Sequence, residues 1–217
     1  SDREIVLRLL GRRALDILKQ LRTERETGIS SHMLLEMLGD LWVVNRNPYI
    51  QDDLLDNAKR FDSLLGTLRE RSERIQSRAN NNALTLELMQ ITNRAIDAFE
   101  QEFVKHKALR DKARKQFAAF TRKDNIQFDG LARVSHVTDA TDWRVELPFV
   151  VLTPDTEEEM ADLVQASIEL GLTVIPRGGG TGYTGGAVPL DALSAVINTE
   201  KLEFLGEVEL RNNLPGV

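Results

Sequence analysis

The sequence predicts an α+β protein in which an antiparallel helical region, residues 1–123, precedes a βαβ unit within residues 124–217. Two observations lead to this fold class. Up to about Thr121, apolar residues recur at intervals of three and four, which is the period of an amphipathic helix. Beyond Asp124 the chain consists of short apolar runs separated by turns, with one helical pattern between the first two runs. That order of strand, helix and strand predicts a parallel, right-handed βαβ unit.

The first helices are predicted from their apolar spacing and their end signals. Ser1 and Glu4 have the spacing of a capping box, and Gly28 is a stop signal, so the first helix should occupy the residues between them. Its apolar stripe consists of Val6, Leu10, Ala14, Ile17 and Leu21. A second helix is predicted for residues 31–42, before the chain turns at residues 45–49 (NRNPY).

Two longer helices should form an antiparallel hairpin. One apolar seam predicts a single helix that runs from Leu54 to Ile75 and ends at Asn80–Asn82. The seam comprises Leu54, Ala58, Phe61, Leu65, Leu68, Ser72 and Ile75. The next helix carries Leu84, Leu88, Ile91, Ala95, Phe99, Phe103, Leu109, Phe117 and Phe120 roughly on one side. Because only a short polar turn joins the two helices, they should pack antiparallel.

The second half of the chain contains predicted strands and one connecting helix. The strands are placed at residues 147–154, 172–176 and 194–198. The helix between the first two should start at a capping box formed by Thr156 and Glu159 and end at Gly171, a residue that favours a left-handed cap. The acidic first turn, DTEEEM, suits the helix dipole, so no metal site is inferred there.

Composition limits the classes of function. The formal net charge is −6, which gives no bulk attraction to nucleic acids or to an anionic membrane surface. Cysteine is absent, so this chain can hold no disulfide, thiolate metal site or iron–sulfur cluster. The sequence shows neither a signal peptide nor an apolar stretch long enough for a membrane span. We therefore expect a soluble, cytoplasmic protein that binds no nucleic acid.

The segment VIPRGGGTGYTGG, residues 174–186, is rich in glycine and directly follows a predicted strand. Glycines let successive backbone amides turn toward a phosphate, so the segment predicts a phosphate-binding loop. A Walker P-loop is excluded, because no lysine follows the last glycine. Gly180, Gly182 and Gly185 satisfy the Rossmann fingerprint, but Pro189 lies where the helix of that motif should follow, which disfavours it.

The stretch Pro148–Pro189 resembles the start of the FAD-binding domain of the vanillyl-alcohol oxidase family. The resemblance consists of a proline-flanked strand, a helix, a second strand and a PRGGGTxxxGG loop in that order. It implies that residues 124–217 are the N-terminal portion of such a domain, truncated after its first βαβ part. It also implies that the loop Pro176–Gly182 wraps the FAD pyrophosphate. Members with covalent flavin often have histidine where Thr181 stands, so the FAD is expected to be noncovalent.

More narrowly, the chain is similar to large bacterial FAD-linked oxidases of the D-lactate and D-2-hydroxyglutarate dehydrogenase type, in which a lead-in like Arg133–Pro148 occurs. In those proteins a helical region precedes the flavin domain and an iron–sulfur region follows. The resemblance implies a fragment of an FAD-dependent oxidoreductase that moves a hydride from a D-2-hydroxy acid to flavin and passes electrons to an acceptor. The fragment alone is expected to be inactive, since catalytic residues and cluster would lie downstream.

The same resemblance implies the cofactor-binding residues. They are Pro176, Arg177, Gly178, Gly179, Gly180, Thr181, Gly182, Tyr183, Gly185 and Gly186. Two roles stay open for Arg177, which could neutralise the pyrophosphate or brace the loop through a carboxylate. Tyr183 could pack against the cofactor or cover the loop. No catalytic residue or metal ligand is assigned within the chain.

For the other charged and titratable residues, the sequence favours structural or surface roles. The basic segment Lys105–Lys115 is typical of a solvated helix face near a carboxyl end. His32, His106 and His136 are far apart and lack the spacing of metal ligands, so structural or surface roles are expected. Of the three, His136 is of most interest because it lies in the lead-in.

A second hypothesis belongs to a different class of function. The helical half would be an interaction or oligomerisation module that binds no cofactor on its own. It would form a homo-oligomer through the seam that runs from Leu54 to Ile75, and a charge at Leu65 would disrupt that association.

Overall fold

The computed structural model describes residues 2–23, 29–79, 81–141, 143–203, 209–211 and 214–216. The chain divides into two compact units, Ser1–Leu109 and Arg110–Val217, called here the helical unit and the sheet unit. This division falls inside a long helix, whereas the predicted domain boundary lies at residues 123/124. That boundary stays a prediction.

The helical unit is built from amphipathic helices. They are α1 (Asp2–Thr23), α2 (Ile29–Arg46), α3 (Pro48–Asp56), α4 (Ala58–Ser77) and α5 (Ala83–Phe117), which continues past the unit boundary. The buried stripe of α1 is the predicted one, although Gly11, with φ of 83° and ψ of 179°, interrupts the helix. The predicted cap at Ser1 and the stop at Gly28 lie outside the described residues. Within the described ranges, no helix combines the length and apolar content that a membrane crossing needs.

Two asparagines set the starts of α3 and α4, so the prediction of one uninterrupted helix from Leu54 to Ile75 is wrong. The Asn47 side chain caps α3 by accepting the Tyr49 N–H at 3.0 Å. Asn57 leaves the helical conformation, with φ of −126° and ψ of 88°, and its Oδ1 accepts the Arg60 N–H at 3.3 Å. Asparagine offers backbone amides a local acceptor, which lets the chain end one helix and start the next at this point.

Helices α4 and α5 pack antiparallel, as predicted. Phe61 of α4 stacks on Phe103 of α5 with ring centroids 4.2 Å apart. Further along α4, Ser72 donates a hydrogen bond to Asn93, so residue numbers rise in one helix as they fall in the other. Asn81, with φ of 62°, lies in the turn between them.

The predicted seam is buried inside the core of the helical unit itself. Its buried members in α4 are Phe61, Leu65, Leu68, Ser72 and Ile75, whereas Ala58 is exposed. The apolar members belong to one cluster with buried residues of α1, α2 and α5. Packing within the chain therefore occupies the seam, and a charge at Leu65 would act on folding rather than on a free surface. Oligomerisation through the helical region stays a prediction.

The sheet unit contains a mixed sheet and helices. Its elements are β1 (Ile126–Gln127), α6 (Gly130–Ser135), β2 (Val150–Leu152), α7 (Glu158–Glu169), β3 (Thr173–Arg177), β4 (Ser194–Asn198) and a separate antiparallel pair, β5 (Glu209–Arg211) and β6 (Leu214–Gly216). The sheet order is β1-β2-β4-β3, with β1 antiparallel and the others parallel. All three predicted strands are present: β4 has the predicted bounds, β3 is shifted by one residue from 172–176, and β2 is shorter than the predicted 147–154.

Strand β4 lies between the two strands of the predicted βαβ unit. Val196 in β4 pairs with Val151 of β2 on one side and with Ile175 of β3 on the other. Every residue of β4 is buried, which fits a central parallel strand covered on both faces. The unit β2–α7–β3 is therefore parallel, as predicted, and its strands are joined through β4.

The two ends of α7 differ in how well they were predicted. The capping box at Thr156 is wrong, because α7 begins at Glu158 with no side-chain cap. The pKa of Glu158 is lowered, chiefly by a hydrogen bond from its own backbone N–H and to a smaller extent by one from the Thr156 hydroxyl. The C-terminal prediction is confirmed: Gly171 has φ of 73°, and its N–H donates to the Ile168 carbonyl at 2.9 Å.

Candidate functional site

The glycine-rich loop, residues 178–193, starts at the carboxyl edge of the parallel strands. Strands β3 and β4 end side by side at Arg177 and Asn198, which are paired in register. The Thr199 N–H donates to the Arg177 carbonyl at 2.9 Å and fixes this edge. Ligands of open α/β sheets bind at the carboxyl ends of the strands. The predicted phosphate-binding loop therefore lies where such a fold presents a site.

Only part of the glycine content is required by the fold. Gly180 and Gly185 have φ of 66° and 75°, a region that other residues rarely adopt. Gly178 and Gly182 have no such φ, and a Cβ added at either position would meet no heavy atom within 4 Å. Gly179 and Gly186 would make only ordinary contacts. Among the described residues, nothing excludes a side chain at these four loop glycines, and the backbone of Gly178 and Gly182 faces open space.

Arg177 lies directly under the loop. Its Nη1 donates to the Thr138 carbonyl at 2.6 Å. The guanidinium Cζ is 2.7 Å from the position that a Cβ at Gly180 would occupy, so the side chain fills the space left by that glycine. Among the described residues, no carboxylate forms an ion pair with Arg177. It braces the loop through a main-chain carbonyl, and its positive charge is not neutralised.

The part of the lead-in that follows α6, residues 136–141 and 143–146, lies against the loop. It is called here the lead-in segment. The six-membered ring of Trp143 covers Gly185, with Cε3 2.8 Å from the site of an added Cβ. The Glu146 N–H donates to the Pro189 carbonyl at 3.2 Å. The lead-in segment and the loop therefore run side by side.

Asp139 organises the lead-in segment. Its carboxylate accepts the Thr141 hydroxyl at 2.6 Å and the Thr141 N–H at 2.9 Å. These bonds lower the pKa of Asp139, burial opposes them, and a smaller contribution comes from the Ala187 amide of the loop. Neutral donors thus hold the Asp139 carboxylate within the turn at residues 139–141.

His136 supports the end of β4. Its Nε2 lies 2.9 Å from Asn198 Nδ2, and its Nδ1 lies 2.8 Å from the Ala132 carbonyl. Asn198 Oδ1 accepts the Glu200 N–H, so the amide nitrogen faces the imidazole and must donate to Nε2. Nδ1 then carries the proton. Both ring nitrogens have partners, as expected of a structural histidine.

Tyr183 and Thr181 face solvent. Tyr183 is 84% exposed, so its side chain makes few contacts with the loop. Thr181 is also exposed. The loop surface between Gly180 and Gly185 is therefore open, and the assignment of these residues to cofactor binding stays a prediction.

A second polar cluster lies at the same edge and is saturated. Asp155, just beyond β2, accepts from Arg122 at 2.6 and 3.0 Å, from Asn125 at 2.9 Å and from Lys201 at 3.2 Å. Hydrogen bonds from Arg122, and then Asn125, hold the pKa of Asp155 well below its usual range. Arg122 and Lys201 are therefore paired with a carboxylate, whereas Arg177 is paired with none among the described residues.

The lead-in contacts were not predicted from the sequence. Asp139 and Thr141 have the spacing of a local turn closed by a side chain, a signal that could have placed the turn. Nothing in the sequence indicated that Trp143 would reach Gly185 or that Asn198 would meet His136. These contacts join positions that are far apart along the chain.

The sequence is similar to two groups of known proteins. Residues 1–101 match a family described as "Protein of unknown function (DUF3683)". Over 66 residues the chain is 41% identical to a D-lactate dehydrogenase of Archaeoglobus fulgidus, a match that covers 30% of this chain and 14% of that protein. The chain thus matches a small part of the length of this relative.

Solved structures are also similar to part of this chain. Alkyldihydroxyacetonephosphate synthase is 23% identical with a TM-score of 0.41, covering 46% of this chain and 22% of that one. p-Cresol methylhydroxylase with substrate bound is 18% identical with a TM-score of 0.41, covering 47% and 20%.

Proposed function

We propose that this chain supplies the FAD pyrophosphate-binding loop of an FAD-dependent oxidoreductase that oxidises a D-2-hydroxy acid of the D-lactate type. One observation carries the proposal. Gly178 and Gly182 have ordinary φ values and open Cβ positions, so the fold itself does not need glycine there. Their backbone would be left bare for a ligand that must approach it closely.

The charge at the loop supports an anionic ligand. Arg177 makes no ion pair within the described part of the chain, although its guanidinium lies against Gly180. A guanidinium suits phosphate oxygens in both charge and geometry. The backbone amides of Gly178–Gly182 would donate to the pyrophosphate, and Arg177 would offset its negative charge.

The assignment to an oxidoreductase is supported by the similarity to a D-lactate dehydrogenase. Bound FAD would supply the hydride acceptor for oxidation of the substrate C–H bond. This chain would hold the cofactor noncovalently, since Thr181 is no nucleophile for flavin attachment. Residues for substrate binding, the electron acceptor and any iron–sulfur cluster are not assigned to this chain.

Calorimetric titration of the chain with FAD tests the proposal. Wild-type protein should show saturable binding, and Gly182→Val should weaken it at least tenfold because the side chain enters the cradle. Folding of this variant should be unchanged, since nothing lies within 4 Å of the added Cβ.

Gly171→Ala is the matched control. Gly171 has φ of 73° but lies outside the loop, so the variant should lose stability and keep FAD affinity. Absence of FAD binding by the wild type, or unchanged affinity in Gly182→Val, would contradict the proposal.

A second candidate function is favoured by one observation: residues 1–101 match a sequence family by themselves and fall within a compact unit. The helical unit would then be an interaction module that binds no cofactor. Sedimentation equilibrium tests it. Association that depends on protein concentration and is unaffected by FAD would support it, whereas a monomer at all concentrations would contradict it for self-association.

A further inference from the structure

We infer that Trp143 is a binding residue of the same site and that a planar heteroaromatic ring of the cofactor stacks on its indole. This inference rests on the proposed function. It adds a ring subsite at Gly185 of the loop, formed by a residue outside the glycine motif.

The indole is seated on the loop. Its Cε3, Cζ3 and Cδ2 atoms lie 2.8, 3.1 and 3.8 Å from the position of an added Cβ at Gly185. Gly185 also has φ of 75°. Position 185 therefore requires glycine for two reasons: its backbone conformation is left-handed, and the indole ring occupies the space of a side chain.

The backbone on both sides of Trp143 is fixed. The Trp143 N–H donates to Thr141 Oγ1 at 3.3 Å, and that hydroxyl donates in turn to Asp139 at 2.6 Å. Three residues further on, Glu146 donates to the Pro189 carbonyl. The ring is therefore presented by a segment that is already tied to the loop, and binding need not order it first.

Most of the indole surface is nevertheless free. Trp143 is 59% exposed, which is unusual for so large an apolar side chain. Trp42 in the helical unit provides a contrast, because the guanidinium groups of Arg8 and Arg46 lie 5.7 and 5.2 Å from its ring centroid. Among the described residues, no cation or aromatic ring occupies the surface of Trp143.

The position of Trp143 fits a dinucleotide. A pyrophosphate in FAD has a planar ring system on either side, adenine on one and isoalloxazine on the other. Gly180 and Gly185 are five residues apart, so a phosphate at the first and a ring at the second lie within roughly 17 Å along the chain. Aromatic side chains stack on such rings without regard to their substituents.

The test compares Trp143→Leu and Trp143→Phe with Trp42→Leu by calorimetry with FAD, ADP and FMN. Trp143→Leu should bind FAD roughly tenfold more weakly, Trp143→Phe should retain most of the affinity, and Trp42→Leu should not change it. If Trp143→Leu weakens the binding of ADP, adenine is the ring that stacks on the indole. If it weakens the binding of FMN, the ring is isoalloxazine.

Gly185→Ala provides a second variant that keeps the indole but displaces it, and it should give a similar loss. Wild-type FAD affinity in both Trp143→Leu and Gly185→Ala would overturn the inference and leave the proposed function intact. Failure of the wild type to bind FAD would instead refute the proposed function, and with it the ring subsite. Circular dichroism of each variant checks that the fold is retained.

Discussion

Two arginines of the helical unit, Arg13 and Arg71, and the arginine that precedes the glycine-rich loop have opposite electrostatic surroundings. Arg13 donates to both oxygens of Glu87 at 2.7 and 2.6 Å, and Arg71 donates to Asp40 at 2.7 Å. Arg177 donates to a main-chain carbonyl and forms no ion pair with the carboxylates that the structure describes. The carboxylates of Glu87 and Asp40 neutralise Arg13 and Arg71, whereas Arg177 leaves a positive charge beside open backbone, which is what an anion site requires.

The glycines differ in the same way. Gly11 in the helical unit has φ of 83°, and Gly171 in the sheet unit has φ of 73°, so local conformation explains both. Gly178 and Gly182 have no special φ, and no neighbour among the described residues excludes a side chain at either position. Glycines that the fold explains and glycines that it does not explain should therefore respond differently to substitution.

The largest effect is expected at the core of the helical unit. Leu65 is 4% exposed, so Leu65→Asp buries an unpaired carboxylate among apolar side chains. The free energy of unfolding should fall by more than about 4 kcal/mol. Urea denaturation measures this change, with Ser63→Asp as the exposed control on the same helix. A folded Leu65→Asp chain with altered association would instead restore the idea of a free seam.

A smaller loss is expected at Gly180. Gly180→Val forces a branched residue into φ of 66° and drives its Cβ against the Arg177 guanidinium. The free energy of unfolding should fall by about 2 kcal/mol. Gly178→Val, two residues earlier in the same loop, should change it little, because nothing lies near that Cβ. Equal thermal stability of the two variants would remove the distinction between the two kinds of glycine.

Local signals in the sequence predicted the longer helices and the three parallel strands, but they missed β1 and α6 and did not predict the contacts between distant segments. Strand β4 has the predicted bounds because a short apolar run between turns has few alternatives. Helices α3 and α4 were merged, because the periodic seam continues through Asn57 while its side chain caps a new helix. The loop was found from its glycines alone. Its lead-in contacts were missed, because the acceptor for Arg177 is a backbone carbonyl, a group that every residue carries.

Removing the positive charge of Arg177 should weaken ligand binding while leaving the fold intact. Arg177→Gln keeps a donor for the Thr138 carbonyl but removes the charge, so FAD affinity should fall about tenfold. The dependence of affinity on ionic strength should also become weaker than in the wild type. Arg13→Gln is the control in the helical unit and should leave both properties unchanged. Titration at low and high salt separates these outcomes, and equal salt dependence in wild type and Arg177→Gln would count against a phosphate role.

The smallest effect concerns two carboxylates that are stabilised in different ways. The Asp139 pKa is lowered by neutral donors, chiefly the Thr141 hydroxyl, and the Glu87 pKa is lowered by the Arg13 guanidinium. A carboxyl whose pKa is lower in the folded state stabilises the fold above its ordinary pKa, which is 3.8 for Asp139, and loses that contribution as pH falls through the folded value. The stability difference between wild type and Asp139→Asn should therefore be largest near neutral pH and shrink below pH of about 4.

Salt distinguishes the two carboxylates. The Arg13 and Glu87 side chains are 56% and 39% exposed, so added salt should screen their attraction and reduce the effect of Glu87→Gln. The effect of Asp139→Asn should persist, because the hydrogen bonds from Thr141 involve no opposite charge to screen. Thermal denaturation at pH 7 and pH 3, each at low and high salt, measures both dependences. If salt erased the Asp139 effect as well, a cation rather than the turn at residues 139–141 would be holding that carboxylate, and the lead-in segment would no longer differ from the helical unit.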